Sequence, residues 1–66
     1  MSDVDTLKAE VKKLSSRATA LKMDLHDLAE DLPINWQNIM DVAQQTFSTY
    51  EALDAKRAEL KQLEDA

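Results

Sequence analysis

Apolar residues recur along the first half of the chain at Val4, Leu7, Val11, Leu14, Ala18, Leu21, Leu25, Leu28 and Leu32. The spacings alternate between three and four, the period of a helix that lays one stripe against a helical neighbour. Pro33 ends the run, because it lacks a backbone donor and disfavours helical geometry at the residue before it. Beyond it, Asn35 is placed to cap a second helix, its side-chain oxygen accepting a backbone N–H near Gln37 or Asn38. Ile39, Ala43, Thr46, Tyr50, Leu53, Arg57 and Leu60 then resume the alternation with polar breaks. Met40, Phe47 and Leu63 widen that second stripe, as suits a helix that touches more than one neighbour in a four-helix bundle. The pattern predicts one all-α domain over residues 1–66: a helix over about 3–31, a turn at 32–35 and a helix over about 36–64. Each helix is roughly 43 Å long at 1.5 Å per residue, so the two fold back as an antiparallel hairpin. Ser2 or Asp3 is placed to cap the first helix, and Asp5 sits well for its dipole.

Sixty-six residues in two helices cannot shelter both faces of such stripes. The usual remedies are disulfides, a structural metal or self-association, and the chain has no cysteine. Self-association is the expectation, as a homodimer whose interface uses Leu14, Ala18, Leu21, Leu25, Leu28, Ala43, Phe47, Tyr50 and Leu53. Absence of cysteine fits a reducing cytoplasm. No apolar run approaches the ~20 residues a membrane span needs, and the first residues lack a signal-peptide core. A cytoplasmic protein without a membrane partner is expected.

Charge adds a second layer. Lys8, Lys12, Lys13, Arg17 and Lys22 fill the first two-thirds of helix one, whereas Asp24, Asp27, Glu30 and Asp31 fill its end. Folding about Pro33 sets residues whose numbers add to about 67 beside one another. Arg57 is then expected near Glu10, with Glu51, Asp54 and Glu59 opposite the basic part of helix one. The acidic end meets only Trp36 to Ala43, which brings no positive charge and one more carboxylate, Asp41. The closed end is therefore anionic, a candidate contact surface through Asp27, Asp31 and Trp36. Trp36 is expected to pack over the turn with its N–H in water.

His26 is the only histidine. With Glu30 one helical turn later it forms a pair able to chelate a divalent ion. Two ligands make a weak site, since structural zinc takes four, but a twofold axis near this face brings two His26 and two carboxylates together. Nickel or zinc is the expected cofactor class if the site is used. The alternative is a His26 that hydrogen-bonds Asp41 or Glu30, or the backbone of a partner.

The run Met23-Asp24-Leu25-His26-Asp27-Leu28-Ala29-Glu30-Asp31-Leu32-Pro33, followed by Asn35-Trp36, resembles the core signature of the Rop-like proteins, a small bacterial family encoded in nitrogen-fixation gene clusters. The likeness extends through Leu14, Ala18 and Lys22 on one side and Ile39, Val42-Ala43, Thr46, Tyr50 and Leu53 on the other. It implies an antiparallel helix pair that dimerises, a connection to nitrogen fixation, a nitrogenase-related protein partner and a metal-binding role for the signature histidine. Likeness to Rop itself raises RNA binding through Lys8, Lys12, Lys13 and Arg17. A net charge of −5 opposes it. With no cysteine nucleophile, no Gly-rich phosphate loop and a single histidine, no catalytic constellation is present. The expected protein is a non-enzymatic homodimeric accessory or binding module that meets a partner or a divalent metal through its acidic turn end. A metal carrier or sensor using paired His26 is the first alternative, and an RNA-binding regulator the second.

Overall fold

Asp3 and Asp5 occupy the first turn of α1 (Asp3–Asp31), where carboxylates offset the positive end of the helix dipole. The computed structural model describes residues 3–65, so the capping role assigned to Ser2 lies outside the described residues. α1 runs unbroken for 29 residues and stops before the Leu32–Pro33 bond. A 3-10 turn over Trp36–Asn38 leads into α2 (Ile39–Asp65). The described residues contain no strand, and the two helices pack against each other along their length. Among them, no helix is long and apolar enough to cross a membrane.

The turn is closed by backbone groups. Ile34 N–H donates to the Asp31 carbonyl at 3.0 Å, and Asn38 N–H donates to the Asn35 carbonyl at 2.9 Å. Asn35 has φ 62° and ψ 25°, the left-handed region that asparagine tolerates better than most residues. Its side chain makes no capping hydrogen bond, contrary to the expectation from sequence. The left-handed backbone aims the Asn35 carbonyl at Asn38, so the main chain does the work assigned to the side chain.

Along α1 the observed inner face is the one the spacing predicts. Ala18, Leu21 and Leu28 are buried, and Val4, Leu7, Val11 and Leu14 are half-buried. α2 differs. Thr49 and Leu53 are buried there, flanked by half-buried Val42, Thr46, Lys56 and Leu60. The seam runs 42, 46, 49, 53, 56, 60, so Thr49 and Lys56 hold the places expected of Tyr50 and Arg57, both of which are exposed. The register set by Glu10 beside Lys56 brings Ala18 and Thr49, both small and both buried, to about the same level.

Lys56, not Arg57, meets Glu10. Its Nζ lies 3.1 Å from Glu10 Oε2 and 3.6 Å from Glu59 Oε2. The Lys56 stem covers the seam while its charge serves a Glu10 oxygen shut off from water. Lys8 reaches Glu64 at 3.9 Å across the open end. Contact with Glu10, and secondarily the charge of Glu59, raises the Lys56 pKa above the ordinary 10.5. A base whose pKa is raised on folding contributes stability that is complete below its unfolded value and lost as pH climbs through its folded one. Thermal melts are therefore expected to be insensitive to this pair up to about pH 10 and to lose its contribution above that. Lys56→Met should abolish that alkaline component; an unchanged alkaline limb would show that the pair adds nothing.

Candidate functional site

Two surfaces emerge from this packing, one at the closed end and one along the side. At the closed end, every residue from Ala29 to Asp41 is exposed. His26 stands on the α1 approach, its Nδ1 3.6 Å from Asp27 Oδ1 and its Nε2 3.6 Å from Glu30 Oε1. These are ion-pair distances, longer than a good hydrogen bond, and they bind the imidazole firmly only when it is protonated. Asp41 is not a partner of His26; it accepts from Gln45 Nε2 at 3.4 Å. Among the described residues no cluster of three or more His, Asp or Glu is arranged to hold a metal. One chain therefore offers an ion at most a bidentate edge, His26 with Glu30, open to water.

Trp36 is 59% exposed, so the turn does not bury its indole as expected. It stands in the 3-10 turn between Ile34, 66% exposed, and Met40, 78% exposed. Asp27 and Asp31 are exposed beside them. The structure thus brings His26, Asp27 and Glu30 within contact distance and leaves Asp31 and Trp36 as exposed neighbours on the same end.

The side surface was only partly legible. Trp36, Met40, Ala43, Phe47 and Tyr50 follow a four-three-four-three alternation of their own, next to the seam that faces α1. Phe47 is 64% and Tyr50 40% exposed, and Ile39 lies alongside. With 3.6 residues per turn, this stripe and the Leu25–Ala29 edge of α1 lie on the same side of the hairpin. Of the nine residues assigned to the dimer interface, Ala18, Leu21, Leu28 and Leu53 are buried within one chain. Leu14 and Ala43 are half-buried, leaving Leu25, Phe47 and Tyr50 open. The second spacing was available in the sequence, hidden because Met40 and Phe47 read as a widening of the first.

The Rop-like family model matches residues 2–65, nearly the full length. The chain belongs to the Rop-like family. This Rop-like chain is 58% identical over 64 residues to a UPF0437 protein of Azorhizobium caulinodans, covering 97% of this chain and 93% of that one. It is 52% identical over 48 residues to a Frankia alni UPF0437 protein, covering 73% of this chain and 58% of its relative. That Frankia relative is encoded in the nifX–nifW intergenic region. A structural-genomics protein solved by NMR superposes with a TM-score of 0.90 at 52% identity, covering 98% of this chain and 92% of that one. The two-helix hairpin found here is the fold of that solved relative.

Proposed function

We propose that this Rop-like chain is a non-enzymatic homodimeric accessory protein of nitrogen fixation, in the cytoplasm, that contacts a nitrogenase-related partner through its acidic turn end. The observation that carries the dimer is exposed area. The hairpin exposes 5229 Å², against about 4,200 Å² for a compact protein of its mass. The excess, on the order of 1,000 Å², is what one partner contributes to a standard stable interface, about 800 Å². The side surface built from Leu25, Ile39, Ala43, Phe47 and Tyr50 is the face to be covered. The gene neighbourhood of the Frankia alni relative supports the connection to nitrogen fixation.

Charge favours one arrangement of the two copies. Residues 23–55 contain seven carboxylates and no Lys or Arg, which leaves all eight cations and six carboxylates in the open half. Hairpins packed with both turns at one end place two strongly anionic halves together, whereas opposite turns set each anionic half beside a cationic one. In the second arrangement the two His26 stand roughly 27 Å apart at 1.5 Å per residue. They cannot then share one ion. The alternative of a metal carrier or sensor rests on the His26–Glu30 pair and needs the first arrangement. RNA binding is the weaker reading, because Lys8 is engaged by Glu64 and the chain carries net negative charge.

One experiment with three arms tests this. Tagged wild type, an Asp27→Asn/Glu30→Gln/Asp31→Asn variant and a His26→Ala variant are used for capture from nitrogen-fixing cells. Wild type and His26→Ala should retain the same partner and the neutralised variant should lose it. Equal capture by all three would end the turn-end reading. Loss in His26→Ala, with tighter nickel or zinc binding by wild type than by that variant, would favour the metal alternative.

A further inference from the structure

We propose that the closed end of the hairpin is a docking surface for a cationic amphipathic helix presented by another protein. This rests on the reading that the turn end is the contact surface, and it specifies the chemistry of what docks there.

Five large apolar side chains stand exposed within nine positions: Leu32, Ile34, Trp36, Ile39 and Met40, with exposures of 42%, 66%, 59%, 36% and 78%. Such a concentration on a small protein marks a contact surface. Its composition is adaptable, since an unbranched methionine and a flat indole conform to varied side chains. Carboxylates border it on both helices, with Glu30 and Asp31 at the end of α1 and Asp41 at the start of α2. Asp31 is also the last residue of α1, where the negative end of the helix dipole opposes a carboxylate. The nearest Lys or Arg along the chain are Lys22 and Lys56, so neither the end of α1 nor the start of α2 carries a lysine or arginine of its own here.

The occupant follows from these two properties together. Nucleic acid and anionic lipid are repelled by the bordering carboxylates. A neutral apolar segment would bury the patch but leave those carboxylates uncompensated. A second copy packed with its turn at the opposite end sets Asp3, Asp5, Glu64 and Asp65 of its chain ends level with this tip, and its Lys12, Lys13, Arg17 and Arg57 nearer the middle of the hairpin. An extended strand would need a sheet edge to pair with, and the described residues include no strand. A helix with Leu, Ile or Met along one stripe and Lys or Arg at its margins matches both features. With turns at opposite ends of the dimer, each dimer carries two such sites, separated by about the 49 Å length of the hairpin.

The test uses designed 18-residue helical peptides as probes: Leu/Lys, Leu/Gln with the same apolar stripe, and Lys/Ser with charge alone. Trp36 is the only tryptophan, so its emission reports on the patch directly, and amide NMR shifts map the contact. The Leu/Lys peptide should shift Trp36 emission to the blue and perturb amides from about Asp24 to Asp41. It should bind at least about tenfold tighter than either other peptide. A Glu30→Gln/Asp31→Asn/Asp41→Asn variant and an Ile34→Ser/Met40→Ser variant should each weaken it by about tenfold; the altered residues are exposed, and circular dichroism checks that helicity is kept. Equal affinity for the Leu/Gln peptide, perturbation centred on Phe47 and Tyr50, or indifference to both variants would overturn the proposal. Sedimentation of the same samples reads the dimer separately. A dimer that ignores the Leu/Lys peptide refutes this docking chemistry while leaving the dimer in place. Capture of a cellular partner that survives turn neutralisation refutes the underlying site.

Discussion

Leu21→Asp is expected to abolish the helical hairpin at every protein concentration. Leu21 is 8% exposed in the middle of α1 and, among the described residues, belongs to a core of only four well-buried apolar side chains, with Ala18, Leu28 and Leu53. Removing a buried leucine costs about 2–5 kcal/mol. An unpaired carboxylate in its place adds several more, or forces the aspartate to stay protonated. A domain of this size commands roughly 5 kcal/mol, so the change exceeds what it has. Far-UV circular dichroism at neutral pH should show most of the helix signal gone, with partial recovery in acid as the new carboxyl is neutralised. Leu25→Asp, at a position 36% exposed on the side surface, should cost much less within one chain. Native helicity in Leu21→Asp would mean that the inner seam is misassigned.

That contrast between Leu21 and Leu25 also measures what a reading of the sequence can reach. α1 was legible because each inner position carries an apolar residue, so period and core coincide. α2 was legible as a helix but not in its orientation. Its inner seam includes Thr46, Thr49 and Lys56, none of which scores as hydrophobic, whereas Tyr50 one position away does. Thr49 fits inside because the register set by Glu10 and Lys56 brings it to about the level of small Ala18. Lys56 is there because Glu10 awaits its charge at 3.1 Å. Both reasons are properties of a pair across the fold, invisible to the periodicity of one helix. The turn follows the same logic. Pro33 announces where the chain reverses, but the left-handed Asn35 decides that a carbonyl closes it and that Trp36 points outward. At the candidate site, the approach of His26 to Glu30 follows from helical spacing alone. The exposure of Ile34, Trp36 and Met40 depends on the turn geometry and so could not be read beforehand.

Phe47→Asp is expected to separate the copies while leaving the single hairpin's own contacts intact. Phe47 is 64% exposed, so one chain loses little when it changes. Any large effect must come from what covers it. An aromatic anchor in an interface contributes about 2 kcal/mol or more, and twofold symmetry counts it twice. About 4 kcal/mol corresponds to roughly a thousandfold in dissociation constant. Sedimentation equilibrium at micromolar concentration should move from twice the chain mass of 7.5 kDa to that mass itself. The melting temperature, which for a dimer rises with protein concentration, should lose that dependence. Leu63→Ser supplies the control. It is an exposed apolar residue, at 42%, but by helical spacing it lies near the open end on the other side of α2. Its change should leave the mass at the dimer value. If Leu63→Ser splits the dimer and Phe47→Asp does not, the copies meet across the opposite face. If wild type itself sediments as a single folded chain, the excess exposed area is covered by something other than a second copy, and the side surface becomes the site at which to look for it.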